Sequence, residues 1–395
     1  MGLFSSSKKD EVVVILDIGS GSVGAALVSL GEGHKPKVVY SVREDILFQD
    51  EFKFDRFLSS MLKTTESVLG KLQKKSSVKV KNMYCVLSAP WYVSRAKIVG
   101  IKSAKPVVFT KKKIDDLIKK EIDGIKKDFD TRYKDLTKFG AEIIEVENIF
   151  MKLNGYATND PFGKSAESFE AHLYISMSSQ QVIKAIKEKV NKTFAVRNLM
   201  FHSFSLSAFS TLRDMYSNLN DFTFMDISGE MTEMSVVRQG ALIETVSFSL
   251  GKNFILRAIA SHLGTVSDDA LSSFALHMDE KMSGESKKKM VSTLEFVQKE
   301  WLDAFRKNLI SLSARTVLPG KIFIITDTPF GQWFSGVLKE GNYSKVSLMG
   351  DTFDAEVINP KVLAKFVQFD LNVTRDSFII IESLFVHRLL NFSGG

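Results

Sequence analysis

The chain has 395 residues, of which 44% are hydrophobic and 25% are charged, as expected of a globular protein with two to four subdomains. No apolar run reaches the roughly 18–20 residues of a membrane-spanning helix, and residues 1–9 lack a signal-peptide core. The sequence therefore predicts a cytoplasmic protein without a membrane span. The single cysteine, Cys85, excludes an intrachain disulfide, and its apolar neighbours favour a buried strand position.

The net charge of +7 is distributed unevenly along the chain. Residues 1–138 hold 27 Lys and Arg against 17 Asp and Glu, a net charge of +10, so the remainder sums to −3. A basic face of this size suits anionic lipid headgroups or an acidic partner, although a solvated surface is the simpler explanation. Nucleic acid is not an expected partner, because no stacking aromatic residues are interleaved with the lysines.

The first predicted element is an apolar strand, residues 12–16, that ends at Asp17 and a turn rich in glycine and serine. Glycine lets backbone amides approach an anion closely, and serine adds hydroxyl donors. A carboxylate beside phosphates is tolerated mainly through a shared divalent cation with water between them. A plain β-hairpin with a glycine turn explains the same pattern equally well. The candidate residues of this first loop are Asp17, Gly19, Ser20, Gly21 and Ser22.

Periodic apolar segments follow in chain order. They predict strands at residues 38–42, 83–87, 141–150 and 170–177, and helices at residues 54–72, 111–122, 179–190 and 199–216. The helix after Thr110 takes that residue as its N-cap. On the strand at 170–177, His172 alternates with apolar residues, so we interpret it as a packed or edge histidine. Without a second His or Cys at ligand spacing, no zinc site is expected.

A second strand, residues 222–227, repeats the pattern of the first: apolar strand, Asp-Ile, small-residue turn, apolar strand. A hairpin turn is predicted at 238–241, and Gly251 opens a helix whose first amides are free to face an anion. Lys252 is either a phosphate contact or, as we favour slightly, an exposed lysine of the first turn. The candidates of this second loop are Asp226, Ser228, Gly229, Glu230, Thr232, Gly251 and Lys252. Beyond it, a helix at 290–312, a strand at 321–326 and a helix at 376–390 are predicted.

The two strand-Asp-turn-strand units resemble the phosphate loops of the actin-like (actin, Hsp70, sugar kinase) ATPase superfamily, and in detail its FtsA/PilM branch. The resemblance implies an α/β fold of two actin-like, RNase H-like halves around an interdomain nucleotide cleft, with an inserted SHS2-like subdomain. The implied segments are 1–90 and 191–216 for the first half, 91–190 for the insert, 217–375 for the second half, and a returning C-terminal helix at 376–395.

The same resemblance implies ATP and Mg²⁺ as cofactors, with the metal held through water by Asp17 and Asp226. It adds Thr326 and Asp327, at the adenine turn, to the nucleotide-binding residues of the two loops, and it assigns no catalytic residue. Two departures are visible. The adenine turn has Asp327, Thr328 and Pro329 where the family has glycines, and Glu230 stands where many relatives have glycine. At most weak ATPase activity is therefore expected.

As function, the resemblance implies a cytosolic scaffold that couples a membrane-associated machine to a membrane partner. The partner is either the cytosolic tail of a membrane protein, as in the pilus role of PilM, or a division protein, as for FtsA, and a homo-oligomer fits both. PilM relatives hold such a tail between the insert and the first half. Glu230 and the lack of an amphipathic anchor before Gly395 favour the PilM-like mode. The alternatives are a sugar-kinase-type phosphotransferase and a nucleotide-free interaction module.

Overall fold

The computed structural model describes residues 11–47, 49, 53–76, 79–132, 140–341, 343 and 352–392. The expectations for residues 1–9 and for the chain end at 393–395 lie outside the described residues. None of the described helices is long and apolar enough to cross a membrane.

Fifteen strands and ten helices are formed in the described part of the chain. Up to residue 87 they are β1 Glu11–Ile18, β2 Ser22–Leu30, β3 Lys37–Asp45, α1 Phe54–Lys75 and β4 Asn82–Leu87. Next come β5 Val93–Val108, α2 Lys111–Arg132, β6 Ala141–Leu153, β7 Tyr156–Thr158, β8 Ser165–Ser179, α3 Gln180–Thr193, β9 Asn198–Ser203 and α4 Phe204–Met215. The last are β10 Phe222–Ile227, β11 Thr232–Arg238, β12 Ala241–Phe248, α5 Lys252–Leu263, α6 Ser267–Met278, α7 Gly284–Ser313, β13 Lys321–Thr326, α8 Phe330–Glu340, β14 Asp354–Val357, α9 Pro360–Leu363, β15 Gln368–Phe369 and α10 Ser377–Phe392.

Two sheets of matching topology form the two halves. The first has the strand order β15-β3-β2-β1-β4-β9, and the second has the order β12-β11-β10-β13-β14. In each, the strand that carries the Asp pairs antiparallel with the next strand of the chain on one side, and on its other side it pairs in parallel with β4 or β13. The repeated sequence pattern therefore corresponds to a repeated fold, and the predicted α/β architecture of two similar halves is confirmed.

The strand β1 is apolar without interruption because both of its faces are buried. Val13 and Ile15 pack into one core, while Val14 and Leu16 pack on the opposite face. The first of these cores also holds α4 and α10 together with Phe222 and other residues of the second sheet. The two helices thus lie between the halves and join them through one continuous apolar layer.

The inserted segment forms a separate sheet of strand order β5-β8-β6-β7. Helix α2 covers it, with Ile114 and Ile125 buried against strand residues such as Phe169. Helix α3 follows β8 directly, yet its buried residues Ile183 and Ile186 pack with α1 in the core of the first half. The predicted order of strand, helix, strands and helix is present, while the exact domain boundaries stay predictions.

Most predicted elements form within a few residues of the expected bounds, and Cys85 is buried in β4 as expected. His172 is packed, with its ring stacked on Phe150 at a centroid distance of 4.0 Å. The helix predicted at 199–216 is wrong in its first part, because Asn198–Ser203 is strand β9. This short run pairs in parallel with β4, and the buried Ser203 then caps α4 by accepting a hydrogen bond from the amide of Leu206.

Candidate functional site

The two predicted loops meet at the interface between the halves, where β1 and β10 end. Oγ of Ser20 lies 2.7 Å from Oγ of Ser228, and the amide of Glu230 donates to Oγ of Ser20 at 2.9 Å. Gly21 and Gly229 are in backbone contact, since a Cβ added to Gly21 would lie 2.8 Å from Cα of Gly229. The tertiary fold therefore brings the two sequence motifs together, and it does so without a gap between them.

Asp17 is fully desolvated at the base of this contact, with 1% of its surface exposed. Its Oδ2 accepts a hydrogen bond from Nη2 of Arg43 at 2.6 Å. The same guanidinium donates to Oδ2 of Asp376 at 2.5 Å and to Oγ of Ser22 at 2.9 Å. Burial raises the pKa of Asp17, and the opposing charge of Arg43 only partly offsets this effect.

A second carboxyl group, Glu382 of α10, lies beside Asp17 and is 0% exposed. Burial and the charge of Asp17 raise the pKa of Glu382 well above its ordinary range. As carboxylates, Oδ1 of Asp17 and both oxygens of Glu382 would have no hydrogen-bond donor among the described residues. Burial and the mutual repulsion of the two groups therefore both oppose a second negative charge on this pair.

Asp226, the counterpart of Asp17 in the second half, is 2% exposed. Burial raises its pKa well above the usual value, and the neighbouring Glu233 and Asp17 raise it further. Its Oδ1 has no hydrogen-bond partner in the part of the chain that the structure describes. The two acids predicted to hold a metal are therefore close enough to repel each other, and burial disfavours charge on both.

Lys252, the first residue of α5, is not the exposed lysine that the sequence favoured. Its side chain is 11% exposed and forms an ion pair with Asp327. Burial raises the pKa of Asp327, but Lys252 and then Arg43 outweigh it and hold the pKa below its ordinary value. The lysine is buried because α5 starts against the second loop, where a Cβ on Gly251 would overlap the carbonyl oxygens of Ser228 and Gly229.

Three further predicted residues serve the internal structure of the second half. Glu230 accepts hydrogen bonds from Nη2 of Arg257 at 2.6 Å and from the side-chain amide of Asn253 at 2.8 Å. Oγ1 of Thr232 donates to the carbonyl oxygen of Leu250 at 2.7 Å. Oγ1 of Thr326 donates to the carbonyl of Ile227 at 2.6 Å.

The sequence reasoning missed Arg43, Asp376 and Glu382. Arg43 lies in a strand with other charged residues, so nothing in the pattern distinguishes it from a solvated edge position. Asp376 was noted only as the start of a helix. Glu382 did carry a signal, because it is the one charged residue in the apolar run 378–386. A carboxyl group surrounded by apolar residues on a helix must be buried or neutralised.

A groove lies elsewhere, between the inserted sheet and the first half, with a cavity volume of about 430 Å³. Residues 145–149 of β6 form one wall, and α4 and α10 form the floor and the other wall. Glu145 of the inserted sheet joins it to the first half, because its carboxylate accepts a hydrogen bond from the amide of Ser203 at 2.9 Å.

No protein-family model and no curated protein sequence matches this chain. Several solved structures do align with it. A chain of the PilM–PilN type IV pilus biogenesis complex aligns over 97% of this chain and 98% of its own length, with a TM-score of 0.61 and 12% sequence identity. The ethanolamine utilization protein EutJ from Carboxydothermus hydrogenoformans aligns over 96% and 92%, with a TM-score of 0.45 and 11% identity.

This chain has the actin-like fold of PilM. A Bacteroides thetaiotaomicron protein with an actin-like ATPase fold also aligns, over 98% of this chain and 99% of its own, at a TM-score of 0.36 and 9% identity. At these identities the likeness to PilM establishes the fold.

The PilM-like fold implies a nucleotide and Mg²⁺ between the loops, but the residues present do not fit them in this arrangement. The cavity that Asp17, Gly21, Arg43, Gly229 and Lys252 line has a volume of about 10 Å³, roughly the room for one water molecule. A triphosphate requires the two loops to separate. The role of the predicted residues in binding ATP or Mg²⁺ therefore stays a prediction.

Proposed function

We propose that this protein is a PilM-like scaffold that holds an extended segment of a partner protein in the groove between its inserted sheet and its first half. The observation that supports the proposal is the groove itself, about 430 Å³ in volume and lined on three sides by β6, α4 and α10. A membrane-anchored partner would place the scaffold at the inner face of the membrane, consistent with a chain whose described helices include no membrane span.

The floor of the groove is apolar. Leu206 and Phe209 of α4 and Phe385 and Leu389 of α10 line it together. Apolar side chains of a bound segment would contact these residues, and burying such surface contributes roughly 25 cal/mol per Å² before the cost of ordering the segment. The segment is therefore expected to carry apolar residues on the face that enters the groove.

The wall formed by β6 is an open sheet edge. Strand β8 pairs along one side of β6, whereas β7 covers only Met151–Leu153 on the other. Within the described residues, no second strand pairs with β6 from Glu142 to Phe150. An extended segment would supply the missing backbone partners as an added strand, with its alternate side chains directed into the groove.

Charges at the rim define the polar part of the partner. Burial, and then the neighbouring Glu145, raise the pKa of Glu147, and Arg213 and Arg388 offset this only in part. A basic residue of the segment near Glu147 would relieve this repulsion. Because Arg388 is already paired with Asp214, the arginines offer less attraction to an acidic residue. A segment of apolar residues with one or two basic residues fits the site best.

Of the two machines considered, type IV pilus assembly is the one we propose. The solved structure that shares this fold at a TM-score of 0.61 is a pilus biogenesis complex of PilM with PilN. A cell-division role receives no comparable support. The phosphotransferase alternative requires a substrate site beside the phosphate loops, and the cavity there holds about 10 Å³.

The proposal is tested by selecting binders from a random 12-residue peptide display library on the purified protein. The selected peptides are synthesised, and their dissociation constants are measured by fluorescence anisotropy against wild type and Val146→Arg. Val146 lies in the groove wall and is 38% exposed, so the substitution places a bulky cation in the groove with little effect on the fold. We expect at least a tenfold loss of affinity.

Ile310→Arg is the matched control. Ile310 is 57% exposed on α7, far along the chain from the groove. Peptides that bind Ile310→Arg as tightly as wild type, but not Val146→Arg, support the groove as the site. Peptides that bind all three proteins equally would show that the preferred binding surface lies elsewhere, and the proposal would fail.

A further inference from the structure

We propose that the interdomain cleft is closed by contacts within the protein, with its cations already paired, and that the cleft holds no nucleotide. Two ion-pair clusters, here together termed the clasp, lie at the cleft: Arg43 with Asp17 and Asp376 in the first half, and Lys252 with Asp327 in the second. This inference goes beyond the peptide-binding function and does not depend on it, because the groove and the cleft are separate sites.

Steric contact is the first argument. The loops touch through Gly21 and Gly229, and hydroxyl groups of Ser20 and Ser228 join them at 2.7 Å. Glycine at both positions permits this approach, since a Cβ on either residue would overlap the backbone of the other loop. In an open cleft, the lack of a Cβ at these glycines would let phosphate reach the backbone amides. Here the same lack of a Cβ lets the two backbones touch.

Charge is the second argument. Asp17, the residue expected to face a hydrated metal ion, already has a permanent cation at 2.6 Å in Arg43. A divalent cation at the same carboxylate would be repelled by the guanidinium. Burial lowers the pKa of Arg43, but Asp376 and Asp17 outweigh it, so the arginine stays protonated. Lys252, the cation expected to face phosphate, is likewise neutralised by Asp327.

The third argument concerns the backbone amides that would hold phosphate. The amide of Gly19 donates to the carbonyl of Ser22 at 3.0 Å. At the start of α5, the amide of Lys252 donates to Ser228 at 2.9 Å and that of Asn253 to Gly229 at 2.8 Å. These helix-start donors, which would otherwise attract an anion, are used within the second half. A phosphate would have to replace protein hydrogen bonds that are already formed.

The two halves of the clasp also attract each other. Arg43 of the first half lowers the pKa of Asp327 in the second, and Asp327 in turn raises the pKa of Arg43. Arg43 and Asp327 both line the same small cavity. The clasp therefore supplies attraction across the interface, which in a nucleotide-dependent scaffold would come from the ligand.

The experiment is a titration of the wild-type protein with MgATP and with MgADP, followed by calorimetry and thermal unfolding. We expect no saturable heat and a change in Tm below about 1 °C at 5 mM nucleotide, because a ligand that binds only the folded state raises Tm in proportion to occupancy. Spin labels on Leu47→Cys and Val266→Cys, in a Cys85→Ser background, report the distance between halves. Both positions are well exposed, and the distance should not change with MgATP.

The matched variant is Asp17→Asn. Saturable MgATP binding that raises the wild-type Tm by several degrees and disappears in Asp17→Asn would overturn the proposal. A saturable Tm shift in wild type that persists in Asp17→Asn would also contradict the proposal, because the protein would then bind nucleotide without using Asp17. Since the decisive measurement is made on wild type, it remains valid even where a clasp variant fails to fold.

Discussion

Nη2 of Arg43 and Oδ2 of Asp17 lie 2.6 Å apart at the centre of the contact between the two halves. The carboxylate comes from the end of β1 and the guanidinium from β3, two strands away in the same sheet. Removing one member of this pair is costly, since Asp17 has lost almost all of its hydration and the Arg43 side chain is only 21% exposed. The pair therefore makes the site sensitive to single substitutions.

Removing Arg43 is expected to destabilise the protein strongly. Arg43→Met leaves Asp17 and Asp376 without their cation, and breaking a buried pair from one side costs about 3–5 kcal/mol. Urea unfolding at pH 7 measures the loss. Arg238→Met is the control, because Arg238 pairs with Asp221 at the surface, with side chains 30% and 39% exposed, and should cost at most about 1 kcal/mol.

The double variant Arg43→Met with Asp17→Asn measures the interaction energy between the two residues apart from the independent effect of each substitution. If the two residues act as a pair, the double variant should be more stable than the sum of the single losses predicts, by roughly 1 kcal/mol or more. Strictly additive losses would mean that Arg43 stabilises the fold through its other contacts, such as the ion pair with Asp376 and the cation–π contact with Phe378.

Contact between the loops predicts opposite effects for two Gly-to-Ala substitutions. Gly229→Ala places a methyl group against the backbone of Gly21 and should cost about 1–3 kcal/mol. Gly70→Ala, inside α1, meets no atom within 4 Å and should stabilise by roughly 0.5–1 kcal/mol through helix propensity. Thermal unfolding measures both. A Gly229→Ala protein as stable as wild type would mean that the loops can separate without cost.

Neutralising Glu382 should be tolerated. Glu382→Gln keeps the shape of the side chain and a donor for Asp17, and it removes a group whose charged form burial disfavours. We expect a stability at pH 7 within about 1 kcal/mol of wild type or higher. A larger loss, measured by urea unfolding, would show that Glu382 is ionised in the fold and that its charge is compensated.

His172 predicts a pH dependence of stability. Burial, and then Lys152, lower the pKa of its imidazole, and Nε2 is buried without a partner among the described residues. The unfolded chain therefore binds the proton first, so stability is lost as the pH falls below about 6.5. His172→Phe should lose less stability than wild type between pH 7.5 and pH 5.5. Because the histidine is half-buried, the difference should stay below about 1 kcal/mol, and equal losses would contradict the prediction.

The sequence by itself predicted most of the elements and the repeated unit, because these depend on local patterns, and the resemblance of that unit to the actin-like superfamily implied the architecture. Apolar runs such as residues 12–16 require burial on both faces, and the repeat of strand, Asp, turn and strand near residue 226 requires a second half of the same kind. Periodic segments likewise located the helices at 54–72 and 290–312. The one strand mistaken for a helix, β9, is six residues long, too short for its periodicity to be distinctive.

Only the tertiary structure decided what the meeting point of the loops contains. The sequence predicted that Asp17, Ser20, Ser228 and Lys252 come together, but it carried no information on distances between halves. The space between Gly21 and Gly229 either holds a phosphate or is closed by contact of the two backbones, and the angle at which the two sheets pack decides between these outcomes. Whether Asp17 faces a metal or Arg43 depends on a contact between residues 26 positions apart, set by the register of β3 against β2.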